Sequence, residues 1–226
     1  MAHLHDLTPL VEQLSIDEAF LDVTMLRESA ASVAEKLQAA INDDPGLPCS
    51  LGVASNKLVA KIANTIGKRE ASQRTAGPPN AIKVIPPGEE AAFLAPLPIT
   101  ELWGVGPRTA ERLAAIGVQT IGDIARLSDA DLTRRFGKHG VSLAHHARGI
   151  DTRPVETSHE TKSISKETTF SRNITDTKTL YRALRRLADG VGRQTRQADL
   201  AGTTIKIKLR WADFTTLTRQ ITLPNP

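Results

Sequence analysis

The doublet Pro86–Pro87 divides the chain into stretches that cannot share one regular architecture. Two successive prolines remove two backbone donors and bar both a continuing helix and an interior strand. Before the doublet, short apolar runs alternate with helical spacing. "VEQLSID" and "AFLDVT" read as a two-strand hairpin with Asp17 and Glu18 at its bend. Residues 26–41 read as a helix, ended by Pro45 and Gly46. "PCSLGVA" reads as a buried strand holding the single cysteine, Cys49. A helix "NKLVAKIANTIG" follows, with Ser55 as its cap and Gly67 as its close; the loop "KREASQRTAGPPN" then leads to a strand "AIKVI". This order predicts an α+β layer, a mixed sheet with helices on one face.

After the doublet the pattern changes. Residues 88–150 show helical spacing with little β-branched alternation, so a separate all-α part is expected there. Inside it, a short helix up to Trp103 meets a turn made by Gly104, Val105 and Gly106. Pro107 stands at a first helical position, and Gly117 closes the helix. "RGIDTRPVETSHE" reads as an extended linker. "TKSISKETTF" then reads as a strand, residues 178–198 as a basic helix, and "TTIKIKLRWADFTTLTRQITL" as two alternating strands around "AD".

Charge separates the same parts. Net charge is only +4, but residues 160–226 hold thirteen Lys/Arg against six Asp/Glu, while residues 1–159 hold sixteen against nineteen. The basic excess confined to the last third points to a polyanionic partner, most simply nucleic acid. No apolar run of about 18 residues is present, so no membrane span is expected. The first ten residues lack the pattern of a secretory signal, and one cysteine allows neither an internal disulfide nor a zinc spacing. A cytoplasmic location is the expectation.

Four stretches carry possible chemistry. Strand interiors avoid Asp and Glu, so Asp17 and Glu18 read either as a pair of magnesium ligands or as ordinary acids in a solvent-facing turn. Asp22 reads as structural. Lys57 and Lys61 share a helix face, with Lys68 and Arg69 just beyond the helix end; these cations suit a triphosphate or merely solvate a helix. The Gly104–Val105–Gly106 turn, with Arg108 behind it, leaves backbone N–H groups free for a phosphate, or is a plain helix connection. In "IKIKLRW", Ile205, Ile207, Leu209 and Trp211 fall on one face, expected to pack on the basic helix. Lys206, Lys208 and Arg210 fall on the other, free for phosphates. His145 and His146 read as surface or core residues rather than ligands.

"SIDEAFLD", "GVASNKLVAKIAN", "LWGVGPRTAERLAAIGVQTIGDIA", "RGIDTRPV" and "KSISKETTF" together resemble, in order, a Y-family DNA polymerase of the DinB branch. The resemblance implies a partial palm over 1–85, a thumb with a helix-hairpin-helix over 86–153, a linker over 154–160 and a partial little finger over 161–226. It implies error-prone translesion synthesis with two magnesium ions, acting on primer-template DNA and deoxynucleoside triphosphates. By the same resemblance Asp17 and Glu18 are metal ligands and catalytic carboxylates, and Lys68 binds the triphosphate. Gly104, Val105, Gly106, Arg108, Lys162, Ser163, Lys166, Lys206, Lys208 and Arg210 contact DNA. Arg69 stands where the family has a proline. The family's earlier "D-x-D-x-F-F-A" strand, its fingers and its tail for the sliding clamp do not occur in these residues, so the chain is expected to be an internal portion with little activity alone. The alternative reading is a non-catalytic, sequence-tolerant DNA-binding protein. No nucleophile–base arrangement supports an unrelated enzyme.

Overall fold

The computed structural model describes residues 2–44, 46–74, 76–158 and 160–224, so Pro45 lies outside the described residues. The chain forms two compact units, residues 1–158 and 159–226.

In the first unit a short helix α1 (Ala2–Leu7), which sequence patterning does not signal, precedes the strands β1 (Val11–Gln13) and β2 (Ala19–Leu21). These pair antiparallel, Val11 opposite Leu21 and Gln13 opposite Ala19, with residues 14–18 as the bend. Helix α2 (Ala30–Asp43) starts later than expected because the Ser29 side chain accepts the Ser32 N–H and caps it there. Strand β3 (Leu51–Val53) pairs in parallel with β4 (Ile82–Val84). Cys49 lies before β3, half-buried, rather than inside a buried strand; burial pushes its thiol pKa up.

The expected mixed sheet is not formed among the described residues. Two separate two-stranded ladders stand in its place, and helix α3 (Lys57–Arg74) reaches both. It docks its backbone on Gly52 of β3 and sends Lys57 and Lys61 to the β1–β2 hairpin. The cap of α3 is Asn56, whose Oδ1 accepts the Val59 N–H at 3.0 Å; Ser55 instead donates to Glu90. Nor does Gly67 close the helix. It lies buried mid-helix, where an added Cβ would sit 3.1 Å from Lys83 Cβ, and the helix runs on to Arg74. Lys68 and Arg69 are therefore helical, and the expected loop is half helix.

Residues beyond Pro86–Pro87 are helical as expected: α4 (Glu90–Leu94), a 3₁₀ turn (Ile99–Glu101), α5 (Pro107–Ala114), α6 (Ile121–Arg126), α7 (Asp129–Phe136) and α8 (Lys138–Ala147). Thr120 and Asp123 cap α6 reciprocally: the threonine hydroxyl accepts the Asp123 N–H, and the aspartate accepts the Thr120 N–H at 2.9 Å. One continuous apolar core joins α3 to these helices, from Leu58 and Ile62 through Ile85, Leu94 and Leu113 to Leu143 and Ala147. The proline doublet thus changes the architecture without interrupting the core.

The second unit holds helix α9 (Thr177–Gln197), capped by Asp176, and a hairpin of β5 (Thr204–Arg210) and β6 (Thr216–Thr222). Thr204 faces Thr222 and Arg210 faces Thr216. Residues 161–170 form no strand among the described residues. Their course follows α9 instead, with the Lys166 stem 3.5 Å from where a Cβ on Gly190 would lie. The expected tight packing of the hairpin's apolar face on the basic helix is also not found. Ile205, Ile207, Leu209 and Trp211 stay 42–52% exposed, and α9 has no buried residue. The apolar stripe of α9 (Leu180, Ala183, Leu187, Val191) is only half-buried, which is too little to seal a two-stranded sheet face.

Candidate functional site

The hairpin bend presents Asp17 and Glu18. The Glu18 carbonyl accepts the Leu14 and Ser15 N–H groups, at 2.9 and 3.2 Å, which tightens the bend. The Ser15 hydroxyl donates to Asp17 Oδ1 at 2.5 Å and accepts the Glu18 N–H at 3.1 Å. That hydroxyl above all, with the positive charges of Lys68 and Lys61 further away, holds the exposed Asp17 carboxyl below the usual carboxylate range. Lys61 meets the bend directly, and the exposed Lys68 acts on Asp17 only through its charge. Asp22 accepts the Thr24 N–H at 2.9 Å and shapes the turn after β2, in keeping with a structural role.

Lys57 and Lys61 do not form a shared free face. Lys57 Nζ is buried and bonded to Glu12 Oε2 at 2.6 Å, and that same oxygen accepts the Glu156 N–H at 2.9 Å. Lys61 Nζ bonds Glu18 Oε2 at 2.9 Å and lies 5.6 Å from the centre of the Trp103 ring. Trp103 also meets Phe20 at 5.9 Å and the Arg153 guanidinium at 4.8 Å. Arg153 is forked onto Asp151, at 2.7 and 2.8 Å, and the Asp151 side chain is 2% exposed. Burial alone would raise the Asp151 carboxyl, but these bonds and the Arg153 charge hold it below the usual range. Arg69 pairs with Glu101. Sequence reasoning missed the stack of Lys61, Trp103 and Arg153, which reaches the bend through the Lys61–Glu18 bond and β2 through Phe20. Its members are 42 and 50 residues apart along the chain, and no local spacing links them.

The glycine turn joins the 3₁₀ turn to α5. Gly104 adopts φ +98°, Val105 is buried with its N–H on the Leu102 carbonyl, and Gly106 caps α5 without any side-chain acceptor. Positive φ makes glycine the natural residue at 104. Arg108 is exposed in the first turn of α5. His145 is exposed and His146 half-buried, its imidazole pKa lowered chiefly by burial.

In the second unit Lys162, Ser163 and Lys166 are exposed along residues 161–170. On the hairpin, Lys206, Lys208 and Arg210 stand opposite Gln220, Thr218 and Thr216, so the cationic row faces only neutral hydrogen-bonding partners.

Asp17 and Glu18 supply carboxylate oxygens, the donor class magnesium takes. Among the described residues no cluster of three His, Cys, Asp or Glu side chains could hold a metal. Two carboxylates, one holding the Ser15 hydroxyl and the other Lys61, are by themselves fewer donors than a magnesium shell takes. Among the described residues no helix is long and apolar enough to cross a membrane.

Family models match three segments in chain order: the impB/mucB/samB family over residues 1–65, the IMS family HHH motif over 87–118, and the impB/mucB/samB family C-terminal domain over 161–226. The DNA polymerase IV of Desulfatibacillum aliphaticivorans is 40% identical over 225 residues, 98% of this chain. The chain belongs with the Y-family, DNA polymerase IV (DinB)-like proteins. A DNA polymerase IV of Dehalococcoides mccartyi is 38% identical over 100% of the chain. A Y-family DNA polymerase chimera of Dbh and Dpo4 superposes with TM-score 0.82 at 27% identity, covering 100% of this chain and 63% of the chimera. An insertion ternary complex of Dbh DNA polymerase gives 0.63 at 27% identity, covering 99% of this chain and 62% of that one. The chain spans 54% of the Desulfatibacillum protein and 56% of the Dehalococcoides protein, a little over half of each. The α+β class and the Y-family resemblance expected from sequence both agree with these matches.

Proposed function

We propose that this chain is the palm, thumb and little-finger portion of a translesion DNA polymerase, divided at about residues 85, 153 and 160. On this reading it meets primer-template DNA and deoxynucleoside triphosphates in the cytoplasm. Asp17 and Glu18 are the carboxylates that would hold magnesium, an ion that in nucleotidyl transfer neutralises charge around the transferred phosphorus. Lys61 holds the Glu18 carboxylate at the bend, and Lys68, further along α3, would bind the triphosphate. The turn at Gly104, Val105 and Gly106, with Arg108, would meet a DNA phosphate through the N–H groups of the two glycines and the Arg108 cation, the Val105 N–H being held by Leu102. Lys162, Ser163, Lys166, Lys206, Lys208 and Arg210 offer further backbone contacts, none of which reads sequence.

The observation that carries this reading is the acid-bearing bend beside Lys61 and Lys68, in a chain whose three segments match the family in order. A gel-based primer-extension assay with magnesium, paired with a duplex-binding titration, tests it. The expected outcome is salt-sensitive, sequence-tolerant binding with little or no extension, because two acids form only part of a two-ion site. Robust extension that persists in the Asp17→Asn/Glu18→Gln variant would overturn the assignment of these residues.

A second reading, a non-catalytic DNA-binding protein, is favoured by one observation: both acids already have partners within the chain, Ser15 for Asp17 and Lys61 for Glu18. It expects DNA binding to survive Asp17→Ala/Glu18→Ala and no divalent ion to bind at the bend.

A further inference from the structure

Helix α9 carries six cations, Lys178, Arg182, Arg185, Arg186, Arg193 and Arg196, against one acid, Asp189. At 3.6 residues per turn Lys178, Arg182, Arg185, Arg193 and Arg196 fall in one stripe, with Asp189 among them and Arg186 beside it. The stripe runs from Lys178 to Arg196, 19 residues and roughly 27 Å of helix. All six side chains are exposed, and among the described residues none of them has an ion-pair partner. Leu180, Ala183, Leu187 and Val191 lie on the opposite side and are half-buried, so folding turns the cations outward.

We propose that this stripe is a second phosphate-binding surface, which lies along the backbone of duplex DNA separately from the hairpin row Lys206, Lys208 and Arg210. A helix face that is only solvated gains from mixing signs at i, i+4. Asp189 offsets Arg185 and Arg193 at i, i+4, but 178/182, 182/186, 182/185 and 193/196 remain like-charge neighbours, a repulsion that a polyanion would relieve. Five of the six cations are arginines, whose planar fork matches a phosphate. Duplex DNA presents a phosphate per strand about every 3.4 Å, a uniform anionic rod as long as the stripe. Single-strand binders interleave cations with aromatic stacking platforms, and α9 offers only Tyr181. The proposal does not depend on Asp17 or Glu18, and shares with the proposed function only the premise that this unit meets DNA.

The test measures binding of the full chain to a mixed-sequence 30-base-pair duplex across salt concentrations. Three forms are compared: unmodified, Arg182→Gln/Arg185→Gln/Arg196→Gln, and Lys206→Gln/Lys208→Gln/Arg210→Gln. Far-UV circular dichroism checks that each form keeps its helix. The α9 variant is expected to bind about tenfold more weakly and to lower the slope of log K against log salt by about two to three, equally for a shuffled duplex. An unchanged slope in the α9 variant, beside a lowered slope in the hairpin variant, overturns the inference and leaves the hairpin contact standing. Unchanged slopes in both variants remove the hairpin contact as well. A poly-glutamate peptide that binds the unmodified chain and loses binding in the α9 variant, while duplex binding is unaltered, overturns the inference in favour of an acidic protein partner.

Discussion

Glu12 and Lys57 make the most committed polar contact in the chain's first unit. Their side chains are 8% and 9% exposed, they meet at 2.6 Å, and the Glu156 N–H joins the same carboxylate oxygen. A charge so enclosed is held by its partner rather than by water, so removing one member strands the other. Lys57→Met is expected to cost about 3–5 kcal/mol in urea unfolding, and the Glu12→Gln/Lys57→Met double variant less than the sum of the single changes. Additive single costs would show that the pair is not coupled. Lys61, one helical turn on, is 26% exposed on its side chain and bonds the 44% exposed Glu18, so that contact contributes much less to stability. That bond holds the Glu18 carboxylate at the bend. The two lysines differ in burial, and the i, i+4 spacing that puts them on one face carries no information about which of them faces inward.

At the scale of elements, glycine positions separate what spacing reveals from what packing decides. Gly104 and Gly117 have positive φ, and their roles as turn and helix close were readable because only local backbone geometry was involved. Gly67 was misread as a helix end. Its absent side chain serves the approach of α3 to β4, a contact between segments 16 residues apart. Gly52 is the stronger case: a Cβ there would enter the space of the Ala60 carbonyl oxygen and the Asn64 amide of α3. Gly52→Ala is expected to destabilise by about 1–3 kcal/mol, at the upper end because the obstacle is backbone. Gly77→Ala, with nothing within 4 Å, is expected to stay within about 0.5 kcal/mol. Equal midpoints for both in urea would contradict the docking of α3 on β3. The hairpin shows the same division. The alternation that sorts Lys206, Lys208 and Arg210 from Ile205, Ile207 and Leu209 is a local period and was readable. The cover of the apolar face is a tertiary matter and was not.

For the whole molecule, the first unit combines a bend with two acids, a helix that brings Lys61 to it, and a glycine turn at the start of α5. The second unit presents two cationic surfaces, on the hairpin and on α9. Sequence motifs pointed to the bend, the turn and the hairpin row because each is a contiguous stretch. The Lys61–Trp103–Arg153 stack became visible only when the fold brought distant residues together. The central claim is that the Asp17–Glu18 bend is a divalent-ion site on a nucleotide-transfer scaffold. Paramagnetic broadening of backbone amide signals by Mn²⁺, in the presence of a deoxynucleoside triphosphate, tests this most directly. Broadening is expected first at residues 15–19 and at Lys61 and Lys68 of α3, and is expected to disappear in Asp17→Asn/Glu18→Gln. Broadening that spares the bend, or that persists unchanged in the double variant, would contradict the claim.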